Sequence, residues 1–299
     1  MKSIAILGPT ASGKTALAID LALRFPSYIL SLDSLSLYKQ IDIASAKPTL
    51  EERRGIEHFG IDVLYPNEPF NVTMFFELYR KALAQAQRDG KNLIIVGGTG
   101  FYLKAMMEGL SIKPELSLHV KQEVAHVLLD LEKAYQTLCL EDPTYAEKIA
   151  STDRYRIEKW FEIFLSTHEQ PSSYLAHAKQ PPLLQNIPLF EIETPKEILE
   201  QRIAKRTSMM LKQGLIDEVF TLEKHYGRAP QCMKAIGIKE VLDYFDGIYT
   251  LPSLEEKIAI NTLHLAKRQR TFNTSQFPPH PKMVLGALSD TIATELEKF

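Results

Sequence analysis

The chain has 299 residues, of which 45% are apolar and 24% are charged, and its formal net charge at pH 7 is −2. The charge excludes a globally basic nucleic-acid-binding protein, so any contact with nucleic acid has to come from local patches. Cys139 and Cys232 lack the paired spacing of a zinc site or disulfide framework, which is typical of a reducing compartment. Because the N-terminus runs straight into an apolar run, we expect no signal peptide, and no apolar run approaches the ~20 residues of a membrane span. We therefore expect a cytoplasmic monomer without membrane contact.

The N-terminal stretch contains the phosphate-binding pattern G-x-x-x-x-G-K-[ST]. Residues 3–7 before it form an apolar run that suits a buried strand, and Leu17, Leu21 and Phe25 follow at helical spacing. A strand, a glycine loop and a helix in this order direct backbone N–H groups toward an anion. We expect Lys14 to reach an outer phosphate and Thr15 to reach Mg²⁺. The pattern consists of Gly8, Pro9, Thr10, Ala11, Ser12, Gly13, Lys14 and Thr15.

Apolar runs at 28–32, 59–63 and 92–96, with a helical stretch at roughly 73–89, predict a parallel sheet covered on both faces. Residues 113–182 are helical in pattern, and the run at 187–192 returns to the sheet. The prediction is an α/β, P-loop NTPase-like sheet flanked by helices, with core 1–112 plus 183–299 and a helical insertion at 113–182. The apolar positions of the insertion are Leu118, Val120, Val124, Val127, Leu128, Tyr145, Ile149, Tyr155 and Ile157.

Ligands of parallel sheets bind beyond the carboxyl ends of the strands. Two short segments of this sequence lie at such positions. Asp33 directly follows the run at 28–32, and residues 97–100 (Gly-Gly-Thr-Gly) follow the run at 92–96. The second position is where an ATPase usually carries an acidic magnesium ligand, so a neutral turn disfavours an ordinary ATPase. Asp33 has three open interpretations: a magnesium ligand, a base acting on a second substrate, or a helix cap.

Several longer segments together identify a family. They are GPTASGKTALA at 8–18, DSLSLYKQIDIASAKPT at 33–49, HFGIDV at 58–63, VGGTGFYLKAMMEGLS at 96–111, DP at 142–143, DRYRIEKWFEI at 153–163, RIAKRTSMMLKQGLIDEV at 202–219 and AKRQRTF at 266–272. Over nearly its whole length the chain resembles the tRNA dimethylallyltransferase (tRNA isopentenyltransferase) family. The resemblance implies transfer of a dimethylallyl group from dimethylallyl diphosphate to N6 of the adenosine immediately 3′ of the tRNA anticodon, with Mg²⁺ as cofactor.

The resemblance also implies roles for individual residues. Asp33 takes the N6 proton, Thr99 faces the adenosine, and Arg206 clamps the diphosphate held by residues 10–15. The chain departs from the usual family pattern at Lys121, Lys159, Leu263 and Phe272. Residues 257–289 contain no Asp or Glu, so their cations are candidates for phosphate contacts. The expected tRNA-binding residues are Asp33, Ser34, Leu35, Ser36, Thr99, Lys121, Tyr155, Arg156, Ile157, Glu158, Lys159, Lys267, Arg268 and Arg270.

Two alternatives remain open at this point. One is a P-loop kinase of a nucleotide or small alcohol that uses ATP, with Asp33 as its base. The other is a non-catalytic RNA-binding protein with a vestigial loop. The neutral turn at 97–100 disfavours the kinase, and the presence of Lys14, Thr15 and Asp33 disfavours the binding protein.

Overall fold

The apolar runs of the sequence assemble into one parallel sheet in the computed structural model, which describes residues 1–298. Its strands lie in the order β3-β2-β4-β1-β5-β6 and all pairs are parallel. The inner strands are buried along almost their whole length, as expected for a sheet covered on both faces. The predicted α/β fold class is confirmed. The strands are β1 (Ser3–Leu7), β2 (Ser27–Ser31), β3 (His58–Phe59), β4 (Asn92–Val96), β5 (Leu189–Ile192) and β6 (Lys282–Met283).

Helices make up most of the remaining structure. In chain order they are α1 (Lys14–Arg24), α2 (Thr73–Asp89), α3 (Gly100–Glu108), α4 (Leu118–Val127), α5 (Leu131–Glu141), α6 (Pro143–Ala146), α7 (Arg154–Thr167), α8 (Pro171–His177), α9 (Lys196–Lys212), α10 (Leu215–Tyr226), α11 (Ile238–Phe245), α12 (Leu251–Gln276) and α13 (Leu285–Glu297), with a 3₁₀ turn at Gln231–Lys234. No helix within residues 1–298 is both long enough and apolar enough to cross a membrane.

The described chain divides into two units, residues 1–104 with 185–298 and residues 105–184. In the first unit, one apolar cluster joins β1 and α1 to β5 and α13, so the loop between β1 and α1 is anchored at both ends. A second cluster joins the loop after β2 to α10, α11 and α12. The predicted insertion, 113–182, lies within the residues of the second unit.

The second unit is built around Trp160, which is fully buried among residues of α4, α5 and α7. The buried carboxylate of Asp142 accepts hydrogen bonds from Trp160 Nε1 at 3.2 Å, the Tyr145 backbone N–H at 3.1 Å and the Ser172 backbone N–H at 2.8 Å. A buried carboxylate requires such donors. Asp142 therefore joins four helices, α5 to α8, through one side chain.

Three sequence predictions differ from the structure. Strand β3 ends at Phe59 because Gly60 (φ +84°) and Asp62 (φ +56°) leave the β region. A Cβ at Gly60 would lie only 2.6 Å from Ser31 O, so glycine is needed at this position. Leu118 and Tyr155, placed among the apolar positions of the insertion, are 78% and 65% exposed. Both residues point away from the core of their unit.

Candidate active site

The phosphate loop between β1 and α1 needs glycine at two positions. Gly8 (φ +149°) and Gly13 (φ +97°) both have positive φ, and a Cβ on Gly8 would meet Ser12 Oγ at 3.0 Å and Ile192 Cβ at 3.3 Å. No side chain caps the N-terminus of α1, so its first N–H groups are available to a ligand. Ser12 Oγ is buried without a hydrogen-bond partner among the described residues. These features suit an anion with several oxygens.

Two cations face this loop, the buried Lys14 and the half-buried Arg206. The Lys14 amino group donates to Pro9 O at 2.6 Å. Burial lowers the pKa of Lys14 to about 8; the negative charge of Asp33 opposes this shift, and the positive charge of Arg206 acts in the same direction as burial. Burial also lowers the pKa of Arg206, whereas the charge of Asp33 raises it. Among residues 1–298, neither cation forms an ion pair with a carboxylate. Two positive charges that are at least partly withdrawn from water and have no bonded counter-charge form a site for an anion.

Helix α9 contributes two arginines to the loop. Arg206 Nη1 donates to Thr10 Oγ1 at 3.3 Å, and Arg202 Nη1 donates to Ser12 O at 3.2 Å and Ala11 O at 3.4 Å. The two arginines are four residues apart and therefore lie on one face of the helix. The sequence analysis identified Arg206 but not Arg202. The four-residue spacing between the two arginines could have indicated that Arg202 lies on the same face.

Asp33 lies in a turn after β2. Its Oδ1 accepts hydrogen bonds from the backbone N–H of Leu35 at 2.9 Å and of Ser36 at 3.2 Å. Residues 34–37 form turns and not a helix, so the helix-cap interpretation of Asp33 is wrong. The bonds to Oδ1 are those of an Asx-type turn, and they fix the orientation of the carboxylate.

The glycine-rich turn after β4 lies against β2 and α12. A Cβ at Gly97 would lie 2.3 Å from Leu32 O, and the Thr99 N–H donates to the same oxygen at 3.3 Å. A Cβ at Gly98 would lie 2.5 Å from Gln269 Nε2, and one at Gly100 would lie 2.9 Å from Phe272 Cδ1. The backbone of this turn therefore approaches two other elements more closely than any side chain would allow.

Two cavities meet at these residues. The larger, about 920 Å³, is lined by the phosphate loop, Arg202 and Arg206, and the smaller, about 510 Å³, is lined by Thr99, Phe101 and Phe272. The residues that line both include Thr10, Asp33, Arg206 and Gln269. A ligand in each cavity would thus meet the other beside Asp33.

The oxygen ligands for Mg²⁺ are few. No group of three or more His, Cys, Asp or Glu residues suited to a metal occurs in residues 1–298. Thr15 is exposed at the start of α1 and lines the larger cavity together with Asp33. Mg²⁺ is commonly held by one or two protein oxygens together with phosphate oxygens and water. These residues therefore fit a Mg²⁺ ion that arrives with a diphosphate.

Glu218 of α10 supports the rim of the larger cavity. Its carboxylate accepts the backbone N–H groups of Asp42, Ile43 and Ala44 at 2.8–2.9 Å. Burial raises the pKa of Glu218, and the three hydrogen bonds oppose that shift. Sequence reasoning missed this residue, because nothing local links it to a loop far earlier in the chain.

The other predicted tRNA-binding residues differ in exposure. Lys121, Tyr155, Arg156, Lys267 and Arg268 are exposed, whereas Ser34, Leu35, Glu158 and Arg270 are half-buried. Ser36 is buried. Ile157 is fully buried in the core of the second unit, so its side chain cannot contact RNA, and this prediction is wrong for its side chain. Lys159 is paired with Glu158 at 3.2 Å and with Glu162, so its charge is largely neutralised within its own helix.

Comparison with known proteins agrees with the sequence resemblance. The family model described as IPP transferase matches residues 36–276. A tRNA dimethylallyltransferase of Sulfurovum sp. (strain NBC37-1) is 52% identical over 300 residues, covering 100% of this chain and 97% of that protein. Among solved structures, a tRNA delta(2)-isopentenylpyrophosphate transferase from Staphylococcus epidermidis has 32% identity and a TM-score of 0.69, covering 99% of this chain and 98% of that one. A eukaryotic dimethylallyltransferase acting on tRNA has 27% identity and a TM-score of 0.79, covering 91% of this chain and 70% of that one. The chain belongs to the IPP transferase family.

Proposed function

We propose that this protein transfers the dimethylallyl group of dimethylallyl diphosphate to N6 of the adenosine immediately 3′ of the anticodon in tRNA, and releases diphosphate. The observation that carries the proposal is the pair of cavities sharing Asp33. One cavity lies next to a phosphate loop faced by the cations Lys14 and Arg206, and the other is lined by Thr99 and two aromatic rings. The names of the relatives favour this transfer over a kinase or a non-catalytic RNA-binding protein.

The cationic side of the site suits the departing diphosphate. As the allylic C–O bond breaks, its electron pair leaves with the diphosphate, where negative charge accumulates. Lys14, Arg206 and the free N–H groups of α1 are fixed in place before that charge develops, which is the most effective form of electrostatic stabilisation. A bound Mg²⁺, held by Thr15, would supply further positive charge for the leaving group.

The acceptor side needs a base. The N6 amine of adenine is a weak nucleophile because its lone pair is delocalised into the ring. As the new C–N bond forms, the amine loses a proton, and the carboxylate of Asp33 is the group we assign to accept it. A base in a single-stranded loop can be extruded into a pocket at low cost and can stack on aromatic side chains such as Phe272.

The test is incubation of the protein with unmodified tRNA and either labelled dimethylallyl diphosphate or labelled ATP. Label in tRNA from the diphosphate supports the proposal. Label moved from ATP to a small molecule would support a kinase, and no transfer from either would support a binding protein.

Asp33→Asn then tests the base. The amide oxygen can still accept from Leu35 and Ser36, so we expect both KM values to hold while kcat falls by ~10²–10⁴-fold. A loss that is largely restored by raising Mg²⁺ would instead make Asp33 chiefly a metal ligand. Asp20→Asn, on the exposed face of α1, is the matched control.

A further inference from the structure

Helix α12 docks on the loops of the candidate site through one face. Its contacts recur at three- and four-residue intervals, which places them on a single stripe of the helix. The Asn273 amide donates to the buried Glu191 of β5 at 3.2 Å, and Phe272 packs against Gly100. Thr271 and Thr274, on another side of the helix, are exposed. The stripe consists of Gln269, Phe272, Asn273 and Gln276.

Gln269 makes the connection between two loops. Its Oε1 accepts the Thr10 backbone N–H at 2.7 Å, and its Nε2 donates to Gly98 O at 2.9 Å. Thr10 belongs to the phosphate loop, and Gly98 directly precedes Thr99. One N–H group of the phosphate loop is therefore committed to a side chain of the protein and not to a ligand.

The side-chain amide of Gln269 explains why residue 98 is a glycine. The φ of Gly98 lies outside the left-handed region, so the backbone itself would accept alanine. A Cβ there would lie 2.5 Å from Gln269 Nε2. Gly98 therefore makes room for the bridge.

Gln269 also lies in the wall between the two cavities, together with Thr10, Asp33 and Arg206. We propose that Gln269 is a positioning residue that sets the spacing between the phosphate loop and the Thr99 turn, and so aligns donor and acceptor for transfer. This inference rests on the proposed function. Reacting atoms must approach to about 3–3.5 Å, and a misplacement of about 1 Å can cost ~10²-fold in rate.

The test begins with Gln269→Met, which keeps the length of the side chain but removes both hydrogen bonds. We expect kcat for transfer to tRNA to fall by ~10–100-fold, while both KM values change by less than about threefold. Gly98→Ala attacks the same bridge from its other side and should produce a similar loss of kcat. Because both changes break one interaction, the double variant should be no slower than the slower single variant. Thr271→Ala, exposed on the same helix, serves as the control at wild-type rate.

Two outcomes would overturn the positioning role alone. One is a wild-type kcat for Gln269→Met, which together with a lowered melting temperature would make the bridge merely structural. The other is losses of kcat that multiply in the double variant. If the wild-type protein transfers no label to tRNA, the proposed function and this inference both fail.

Discussion

Replacing Lys14 with Met removes a buried cation from the phosphate loop and keeps an unbranched side chain of similar length. Lys14 is 8% exposed, and burial lowers its pKa from 10.5 to about 8. Its charge is therefore less stable in the folded protein than in the unfolded chain. We expect Lys14→Met to abolish diphosphate binding and yet to stabilise the protein when no anion is present.

The pKa values set the size of this effect and the pH range in which it occurs. The difference between 10.5 and about 8 corresponds to about 3 kcal/mol. Between these two pH values the unfolded chain binds more protons than the folded protein, so the wild-type protein gains stability as the pH rises through that window. Below pH 8 the whole cost is present. The lost hydrogen bond to Pro9 O offsets about 1 kcal/mol, which leaves a net gain of about 2 kcal/mol at neutral pH.

Thermal melts of the wild-type protein and of Lys14→Met, with and without inorganic diphosphate, measure this difference in stability and the binding of diphosphate. Without diphosphate at pH 7, we expect the variant to melt about 4–8 °C above the wild type, and the gap to close toward pH 10. Diphosphate should raise the melting temperature of the wild type alone, and less so above pH 8, where free Lys14 becomes neutral. A variant that melts below the wild type at neutral pH without diphosphate would refute the reasoning.

Two further changes test the second unit. Asp142→Ala leaves the buried Trp160 Nε1 and the Ser172 N–H without their acceptor, whereas the Tyr145 N–H keeps its bond to Asp142 O, so we expect the change to destabilise that unit by about 3 kcal/mol. The emission of Trp160, the single tryptophan of the chain, follows the unfolding of the unit in denaturant, and an unshifted midpoint would contradict the role of Asp142. Lys121→Gln should weaken tRNA binding and reduce by about 1 the slope of the logarithm of the binding constant against the logarithm of salt concentration. Lys159→Gln should change this slope much less, because the charge of Lys159 is already paired. Binding titrations at several salt concentrations compare the two variants, and equal slopes would count against this distinction.

The elements set by local pattern could be predicted from the sequence. The strand at 92–96 and the helix at 73–89 have their predicted bounds, because apolar periodicity and the flanking glycine determine them. The strand predicted at 59–63 is present as β3, but its predicted bounds are wrong, because Gly60 lies against the backbone of Ser31 on the neighbouring strand and the chain leaves the β region there. An apolar run alone carries no information about that contact.

The residues of the candidate site also fall into two groups, those that a local sequence motif indicates and those that only the completed fold brings together. The phosphate loop and Asp33 are recognisable because each is a short motif directly after a strand. Gln269 and Arg202 contact the phosphate loop from 259 and about 190 residues away in sequence, so their roles depend on the completed fold. Ile157 was wrongly predicted to bind tRNA, because it belongs to a segment whose other residues are predicted to contact RNA. Its side chain lies on the face of α7 that packs in the core.

The location of β5 in the chain affects how the protein folds while it is being synthesised. Strand β1 is flanked by β4 and β5, and β5 leaves the ribosome roughly 90 residues after β4, or about 5–20 s later at ordinary elongation rates. During that interval one edge of β1, an apolar strand, has no partner and is a template for unwanted pairing. Ile192 of β5, which packs against Gly8, also emerges late. The phosphate-binding motif is thus translated long before the strand that completes its support.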